Sequence, residues 1–506
     1  MKRFAVLLAL AAALFAWACA SGPAVPEQAE LVILHVNDTH GQLADTKGIG
    51  GLAAVAAYVK SVQAAYPNVL FLHAGDLNTG SMVSDKNEGL PNIEIFNTLG
   101  LAAMTVGNHE FDMAPGVIGK QMALAKFPYL SANIVKDGKL AFKPYIVKNV
   151  NGLKVGIFGI TTSDTPVKAH PLKVEGYTFT DEIAAAADMV KVLRETEKVQ
   201  VVIGLFHVGF GSGAGPKPSD AIAAAVPGID LIIDGHSHSA MDEPKLVNSI
   251  PIVMADSNTK RVGKAVLSYD RGIVSLSSWT AAMMDAGVTP DAEVAAMVKG
   301  YKDEIDAKYG VKIGSASAPF ELGASLTRKQ ETPLANLVTD AMIWKARAMG
   351  IKADFAVTNG GGIRKTLPSG DITRLNAYEV LPFGNTLAYM ELSGAKVLEL
   401  FDNVAKIPHG NGGWANMSKD VRYTIDTKTK TISGLTVGGK PVDPNATYIV
   451  ITNDFLAVGG DGVYPVFKTV SFKDTFIDML EGFIEYIQTL PQPMEPKTDG
   501  RMQVLL

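Results

Sequence analysis

The chain has 506 residues, a length that exceeds one ordinary hydrophobic core and indicates two domains. Hydrophobic residues make up 47% of it and charged residues 19%, a balance that excludes wholesale disorder. The formal net charge of −5 and the pI near 6.0 exclude a broadly basic surface of the kind that binds nucleic acid. A small anionic substrate would therefore need a local cluster of cations.

Residues 1–20 have the pattern of a signal peptide. Met1–Arg3 is basic, Phe4–Trp17 is an unbroken apolar run, and Ala18–Ala20 offers small residues for cleavage. Two outcomes stay open: cleavage after Ala20, which predicts a periplasmic protein, or lipidation of Cys19, which predicts a lipid anchor in a bacterial cell envelope. Both predict export, and a lipid on Cys19 would be the only membrane contact, because no other segment is long and apolar enough to cross a bilayer.

From residue 30 to residue 288, short apolar runs alternate with helix-like stretches. The runs with the length and composition of buried strands include Leu31–Val36, Val69–Leu72, Val201–Phe206 and Leu231–Ile233. Helix-like stretches cover residues 51–65 and 181–195. This alternation predicts an α/β domain over residues 30–288, in which helices cover the sheets.

Five short segments of this block end in side chains that bind metals, and most of them follow one of these strands. They are Asp38-Thr39-His40, Gly75-Asp76, Gly107-Asn108-His109-Glu110, His207 and Gly235-His236-Ser237-His238. Because the carboxyl ends of adjacent strands meet at one edge of a sheet, we expect these side chains to converge. All five segments together indicate a two-metal phosphoesterase.

Hydrolysis of a phosphate ester needs a nucleophilic water and relief of the charge on the phosphoryl oxygens. Two divalent ions about 3.5–4 Å apart supply both. One carboxylate must bridge the ions, and Asp76, isolated after a strand, suits that role. The mixture of His, Asp and Asn side chains favours Zn, Mn, Co or Fe over an all-oxygen magnesium site. A tight turn at Gly235 would let His236 and His238 reach different ions.

His109 and Asp112 form a second layer beside Asn108. The His109 imidazole can face the leaving group, and Asp112, three residues on, can hold the ring by a hydrogen bond and raise its pKa. His109 would then protonate the departing alkoxide or stabilise the transition state. The alternative is that the two residues only pair on a surface loop.

These segments resemble the calcineurin-like metallophosphoesterase domain and, more narrowly, the secreted 5′-nucleotidase and UDP-sugar hydrolase family. The resemblance implies a four-layered α/β/β/α sandwich with a smaller C-terminal α+β domain. It implies one metal held by Asp38, His40, Asp76 and His238, a second held by Asp76, Asn108, His207 and His236, and a catalytic dyad of His109 with Asp112. One departure is His238, because several nucleotidases of the family carry an amide at that position.

Around Thr289 the alternation of short apolar runs and helix-like stretches ends, and a single helical pattern begins. Thr289-Pro290-Asp291 resembles a helix start, apolar residues then recur at helical spacing, and Gly310 ends the pattern. We expect a linker helix within residues 289–312. The resemblance implies a substrate-binding domain over residues 313–506 and a rotation of the two domains about this helix.

Cations for an anionic substrate appear in this second block. Arg328 precedes Glu331-Thr332, and Asn359-Gly-Gly-Gly-Ile-Arg364 follows a predicted strand. Successive glycines let backbone N–H groups turn toward an anion, and a guanidinium group matches phosphate with two hydrogen bonds. By resemblance to the family, Arg328, Asn359 and Arg364 would contact the phosphate of the substrate.

A second loop, Asn453–Gly462, suits a nucleoside. Phe455 offers a face on which a base can stack, and Asp461 can accept hydrogen bonds from ribose hydroxyls. The family places the base between two aromatic rings, and we assign the second ring to Trp414. The alternative is that Trp414 is a packed loop residue.

The sequence thus predicts a metal-dependent hydrolase that releases phosphate from nucleoside 5′-monophosphates in a cleft between two domains. UDP-sugars and nucleoside di- and triphosphates are further candidate substrates. The alternatives are a phosphoesterase for 2′,3′-cyclic nucleotides or NAD and, in another class, a surface lipoprotein that binds nucleotides without catalysis. The preferred nucleotide and the oligomeric state do not follow from the sequence.

Overall fold

The computed structural model describes residues 25–170, 173–323 and 325–506. The predicted signal peptide and Cys19 lie outside these residues. Within them, no helix combines the length and the apolar character needed to cross a membrane.

The N-terminal domain contains two six-stranded sheets that pack face to face. In spatial order, the first consists of Ile273–Met283, Arg261–Asp270, Gln28–Val36, Leu70–His73, Ala103–Thr105 and Tyr129–Leu130. The second consists of Lys245–Val247, Ile250–Val253, Leu231–Ile233, Val201–His207, Leu153–Thr161 and Tyr145–Val150. Within each sheet, the central strands pair in parallel. Val201–His207 is buried along its whole length, as expected for a strand covered on both faces.

Helices cover the outer face of each sheet. The helices on the first sheet include Leu52–Ala65 and Leu90–Thr98. Two shorter helices, Met82–Asp85 and Val117–Leu124, lie beside them. Glu182–Lys191 and Ser219–Ala225 cover the second sheet. The order helix, sheet, sheet, helix is the predicted four-layered sandwich. A small three-stranded sheet of Ile134–Lys136, Lys139–Leu140 and Tyr177–Phe179 lies at its side.

The linker helix spans Ala292–Tyr309. It begins at Asp291, whose side chain accepts a hydrogen bond from the Val294 N–H at 3.0 Å, and Gly310 follows its last residue. Val294 and Val298 pack into the core of the N-terminal domain, whereas Ile305 packs into the core of the C-terminal domain. One helix therefore contributes to both hydrophobic cores.

The C-terminal domain is a smaller mixed α and β unit. Its main sheet has the spatial order Ala415–Met417, Phe355–Asn359, Thr447–Asn453, Thr386–Ser393 and Phe472–Asp478. A four-stranded sheet contains Lys440–Pro441, Thr431–Val437, Val421–Asp426 and Met502–Leu505, and Lys312–Ala316 pairs with Gly370–Thr373. The helices are Pro333–Ala348, Arg374–Val380, Gly394–Lys406, Asp454–Ala457 and Met479–Thr489. Loops from the carboxyl ends of Phe355–Asn359 and Thr447–Asn453 face the N-terminal domain across a cleft.

Candidate active site

The seven predicted metal ligands lie close together, at the carboxyl ends of the parallel strands of the N-terminal domain. Three groups of His and Asp side chains have donor atoms within 4.8 Å of one another, and Asn108 lies beside them. Among the described residues, all groups of this kind lie at these strand ends. The groups are Asp38 with His40 and His238, His40 with Asp76 and His109, and Asp76 with His207 and His236.

The donor atoms point toward one another. Nε2 of His207 lies 3.0 Å from Oδ2 of Asp76 and 3.3 Å from Oδ1 of Asn108. Nε2 of His40 lies 2.9 Å from Nε2 of His238, which in turn lies 3.5 Å from Oδ1 of Asp38. Two ring nitrogens this close repel unless a proton or a cation lies between them, so the geometry fits a metal centre.

The outer nitrogens of two rings are held by backbone carbonyl groups. Nδ1 of His207 donates to the carbonyl oxygen of Ala74 at 2.8 Å, and Nδ1 of His40 donates to that of Thr79 at 3.1 Å. Each Nε2 therefore faces the centre, where it can bind a metal once it carries no proton. This arrangement of outer hydrogen bonds is typical of histidines that bind metals.

The electrostatics of the centre favour a bound cation. Burial lowers the pKa of His236 to about 3 and that of His238 well below its usual range, which keeps both rings neutral. Burial alone would raise the pKa of Asp76, but His207 and His109 hold it well below the usual range. Burial lowers the pKa of His207, but Asp76 and Asp38 raise it to about 10. The neutral rings of His236 and His238 and the ionised carboxylate of Asp76 suit a divalent metal, and a bound ion would replace the proton that the carboxylates hold on His207.

His109 lies at the edge of this centre and opens into the cleft, with 14% of its side chain exposed. Its Nδ1 contacts the carboxylate of Asp112, and its backbone N–H donates to Oδ1 of Asp76 at 2.9 Å. Burial lowers the pKa of His109, but the two carboxylates outweigh that effect and raise it. The ring is thus held in place and is suited to donate a proton.

The C-terminal wall of the cleft carries two guanidinium groups. Burial and, to a smaller extent, the nearby Arg328 lower the pKa of Arg364 to about 10. Burial also lowers the pKa of Arg328, while Asp461 opposes the effect. In the described part of the chain, neither arginine forms an ion pair with a carboxylate within 4.0 Å. Two enclosed cations short of counter-charge form an anion site.

The glycines between Asn359 and Arg364 differ from the expected anion nest. The N–H groups of Gly360 and Gly361 donate to the carbonyl oxygens of Trp414 and Gly412, at 2.8 and 2.7 Å, and so are not free for an anion. A side chain at Gly360 would place its first carbon 2.2 Å from the carbonyl oxygen of Thr327. Glycine is needed here because two loops approach closely, and that approach brings Arg328 and Arg364 to the same wall.

The loop predicted for a nucleoside also lies on this wall. Phe455, Asp461 and Asn359 line the cleft, and Nδ2 of Asn359 donates to Oδ2 of Asp461 at 2.7 Å. The Phe455 ring lies over Gly460, where a side-chain carbon would come within 2.4 Å of it. Asn359 thus orients Asp461, and Gly460 leaves room for the ring.

The assignment of Trp414 to base stacking disagrees with its position. The indole is 2% exposed and packs in the core of the C-terminal domain, because Trp414 leads directly into the buried strand Ala415–Met417. Phe383 lines the cleft instead, with the Arg364 guanidinium 5.6 Å from the centre of its ring. Phe383 was not among the predicted site residues. Its signal in the sequence is weak: an aromatic residue between Pro382 and Gly384, just beyond a helix.

The cleft between the domains has a volume of about 860 Å³ and is lined from both sides. The metal-type centre forms one wall, and the two arginines with Phe383, Phe455 and Asp461 form the other. Lys168, His170 and Lys173 of the N-terminal domain, which the sequence did not single out, line it as well. A four-layered α/β/β/α domain with this centre, facing an anion site, defines a metal-dependent phosphoesterase.

Comparison with known proteins agrees with this class. Residues 31–240 match the calcineurin-like phosphoesterase family, and residues 312–469 match the 5′-nucleotidase C-terminal domain. The chain is 32% identical to protein UshA of Yersinia enterocolitica, with 96% of each chain covered, and 30% identical to a 5′-nucleotidase of Vibrio cholerae, covering 92% of this chain and 93% of the relative. The crystal structure of a 5′-nucleotidase precursor from Thermus thermophilus has a TM-score of 0.84 and 31% identity, covering 94% of this chain and 99% of the other.

The chain therefore belongs to the 5′-nucleotidase family, and it is a hydrolase with a calcineurin-like phosphoesterase domain. This confirms the family predicted from the sequence. It also confirms the predicted fold class, an N-terminal α/β phosphoesterase domain followed by a separate smaller domain.

Proposed function

We propose that this protein uses two divalent metal ions to release phosphate from nucleoside 5′-monophosphates. One observation carries the proposal: Arg328 and Arg364, two enclosed cations without carboxylate partners among the described residues, face the metal-type centre across the cleft beside Phe455 and Asp461. A phosphate bound by the arginines would lie against the centre, with its nucleoside toward the aromatic ring. The 5′-nucleotidases of Vibrio cholerae and Thermus thermophilus, similar over most of their length, support this substrate class.

In this proposal, Asp76 would serve both ions as a ligand. Asp38, His40 and His238 would complete one site, and Asn108, His207 and His236 would complete the other. Bound ions would supply hydroxide near neutral pH and would polarise the phosphoryl oxygens. The identity of the ions, within the set Zn, Mn, Co and Fe, is left to experiment.

The protein's own side chains then divide the remaining work. Arg328 and Arg364 hold the phosphate by charge-assisted hydrogen bonds. His109, fixed by Asp112, donates a proton to the oxygen that leaves with the nucleoside. On the other side of the cleft, Asp461 accepts from the ribose hydroxyls and Asn359 keeps its carboxylate in place. Phe455 stacks on the base, and Phe383 replaces Trp414 as the proposed second ring.

The direct test is hydrolysis across a panel of substrates, with the products separated by chromatography so that cleavage without release of phosphate is also detected. Protein treated with a chelator is reloaded with Zn, Mn, Co or Fe alone and assayed with AMP, UMP, ATP, UDP-glucose, NAD and 2′,3′-cyclic AMP. We expect the nucleoside monophosphates to be hydrolysed with the highest kcat/KM, and the chelated protein to be inactive. Preferential hydrolysis of a cyclic nucleotide, or full activity after chelation, would contradict the proposal.

We also propose that the protein is exported, because residues 1–20 combine a basic start, an apolar run and small residues. Fractionation of expressing bacteria distinguishes the two routes. Activity released with the periplasm indicates cleavage after Ala20, whereas membrane-bound activity that Cys19→Ser releases indicates a lipid anchor.

A further inference from the structure

Behind the metal-type centre lies a buried carboxylate, Glu110, that is not one of the predicted ligands. It is 2% exposed and accepts four backbone N–H groups. Its Oε2 accepts from Asp76 at 3.0 Å and from Gly107 at 2.6 Å, and its Oε1 accepts from Leu77 at 2.8 Å and Asn78 at 3.4 Å. One side chain therefore joins the loop that carries Asp76 to the loop that carries Asn108.

Asp234 plays the corresponding part in the second sheet. It is fully buried, and its Oδ1 accepts the N–H groups of Val208 at 3.0 Å, Gly209 at 3.3 Å and Gly235 at 2.8 Å. Val208 follows His207 directly, and Gly235 precedes His236. Asp234 thus joins the two loops that carry these histidines.

The four ligands on these joined loops are those of one proposed ion: Asp76, Asn108, His207 and His236. Asp38, at the other ion, has different partners: it accepts from Nδ2 of Asn37 at 2.7 Å and from the backbone N–H of His236 at 2.9 Å. We propose that Glu110 and Asp234 are positioning residues that build the Asn108–His207–His236 metal site. The inference rests on the proposed two-metal function and adds residues that never touch substrate or metal.

A physical need for such residues is visible in the backbone. Asp76 and His236 have φ values of +57° and +75°, in the left-handed region that non-glycine residues rarely adopt. Such conformations persist only where the surrounding structure determines them. The N–H group of Asp76 donates to Glu110, so this hydrogen bond acts directly at a strained residue. The N–H group of His236 donates to Asp38 at 2.9 Å, and Asp234 holds the chain one residue earlier, at Gly235.

The two side chains predict different responses to amide replacement. In Asp234→Asn, the remaining Oδ1 can still accept all three N–H groups, since Oδ2 accepts none from the described backbone. In Glu110→Gln, the new NH₂ group must face two backbone N–H donors in either orientation. Loss of an outer partner typically weakens metal binding by about 10–100-fold. We therefore expect Glu110→Gln and Asp234→Ala to be damaging and Asp234→Asn to bind metal nearly as the wild type does.

The experiment measures metal binding directly. Chelated full-length protein is titrated with Mn²⁺ by calorimetry, and the electron paramagnetic resonance spectrum reports magnetic coupling between two neighbouring ions. We expect Asp234→Ala to weaken one ion about 10–100-fold and lose the coupled spectrum, and Glu110→Gln to weaken both ions, because Asp76 is shared. Glu182→Gln is the matched control, a buried glutamate of the same domain whose backbone partner is Ser163.

Melting temperatures of the metal-free variants separate positioning from folding. Variants that melt with the Glu182→Gln control but bind Mn²⁺ weakly support the inference, and Asp234→Asn rescues binding if hydrogen bonding is the cause. Wild-type Mn²⁺ affinity in both Glu110→Gln and Asp234→Ala overturns it, as does equal loss in Asp234→Asn and Asp234→Ala. A wild type that binds two ions but hydrolyses no nucleotide contradicts the proposed function and leaves this inference standing.

Discussion

The two walls of the cleft are built in different ways. On the metal side, five of the proposed ligands adopt left-handed backbone conformations: Asp38, His40, Asp76, His236 and His238, with φ between +48° and +75°. Among the residues proposed to contact substrate on the other wall, only Asp461, with φ of +58°, does so. Each such position costs roughly 1–3 kcal/mol, which the surrounding structure must supply.

Burial follows the same division. Asp38, Asp76 and His207 are at most 1% exposed, whereas Arg328, Arg364, Phe383 and Phe455 are all partly exposed. Exceptions include the His238 side chain on the metal side, which is 37% exposed, and Asn359 on the other wall, which is 5% exposed. A rigid, enclosed centre fixes the chemistry, and side chains that reach in from loops can adjust to the substrate. Substitutions on the metal wall should therefore reduce kcat for every substrate, and substitutions on the other wall should discriminate between substrates.

The largest effect is expected for Asp76→Ala. This change removes the shared carboxylate and leaves His207 without its partner at 3.0 Å, so both proposed ions should be lost. Hydrolysis of AMP and of an aryl phosphate should both fall to the level of the chelated protein. The exposed helix residue Asp188 offers a control, since Asp188→Ala should retain full kcat. Measurable turnover by Asp76→Ala would rule out the bridging role.

The next effect is expected for His109→Ala. Loss of a general acid typically costs about 10²–10⁴-fold in kcat. Because p-nitrophenolate leaves without protonation, the loss should be much smaller with p-nitrophenyl phosphate than with AMP. Asp112→Asn should show an intermediate loss with the same dependence on leaving group. Equal losses with both substrates would argue that His109 only shapes the metal centre.

The sequence predicted the two walls unequally well. Each metal ligand lies within a few residues of a strand end, so the rule that parallel strands meet at one edge was enough to gather Asp38, Asp76 and His207. The aromatic residues have no comparable rule, because Trp414 and Phe383 sit on different loops and their exposure depends on tertiary packing. The glycines before Arg364 were predicted to be special, but the reason is visible only in the structure: Gly360 lies against Thr327, and Gly361 lies against Gly412.

A third prediction tests the proposed aromatic pair. Base stacking is worth about 1–3 kcal/mol, so Phe455→Ala and Phe383→Ala should each raise KM for AMP about 5–150-fold and leave KM for ribose 5-phosphate nearly unchanged. Trp414→Phe should leave KM for AMP unchanged and lower the melting temperature, because the indole is a core residue. A selective rise in KM for AMP in Trp414→Phe would restore the assignment made from the sequence.

The smallest effect concerns a contact between the two domains. The Tyr378 hydroxyl donates to Oδ2 of Asp85 at 3.2 Å. Burial raises the pKa of Asp85 to about 7, although hydrogen bonds from Gly80 and Tyr378 oppose the shift. The ordinary value for an unfolded chain is about 3.9, so the folded state binds this proton more tightly. The stability that this group contributes is present below about pH 4 and is lost as the pH rises through 7.

Asp85→Asn removes that dependence, because the amide is neutral at every pH. The melting temperature of the variant minus that of the wild type should therefore rise between about pH 4 and pH 7 and level off above pH 7. Tyr378→Phe, which keeps the carboxyl group, should retain most of the wild-type pH dependence. A constant difference between Asp85→Asn and wild type across this range would mean that Asp85 is ionised throughout. In that case the contact between Asp85 and Tyr378, which joins the two domains, would not make the stability of the protein depend on pH.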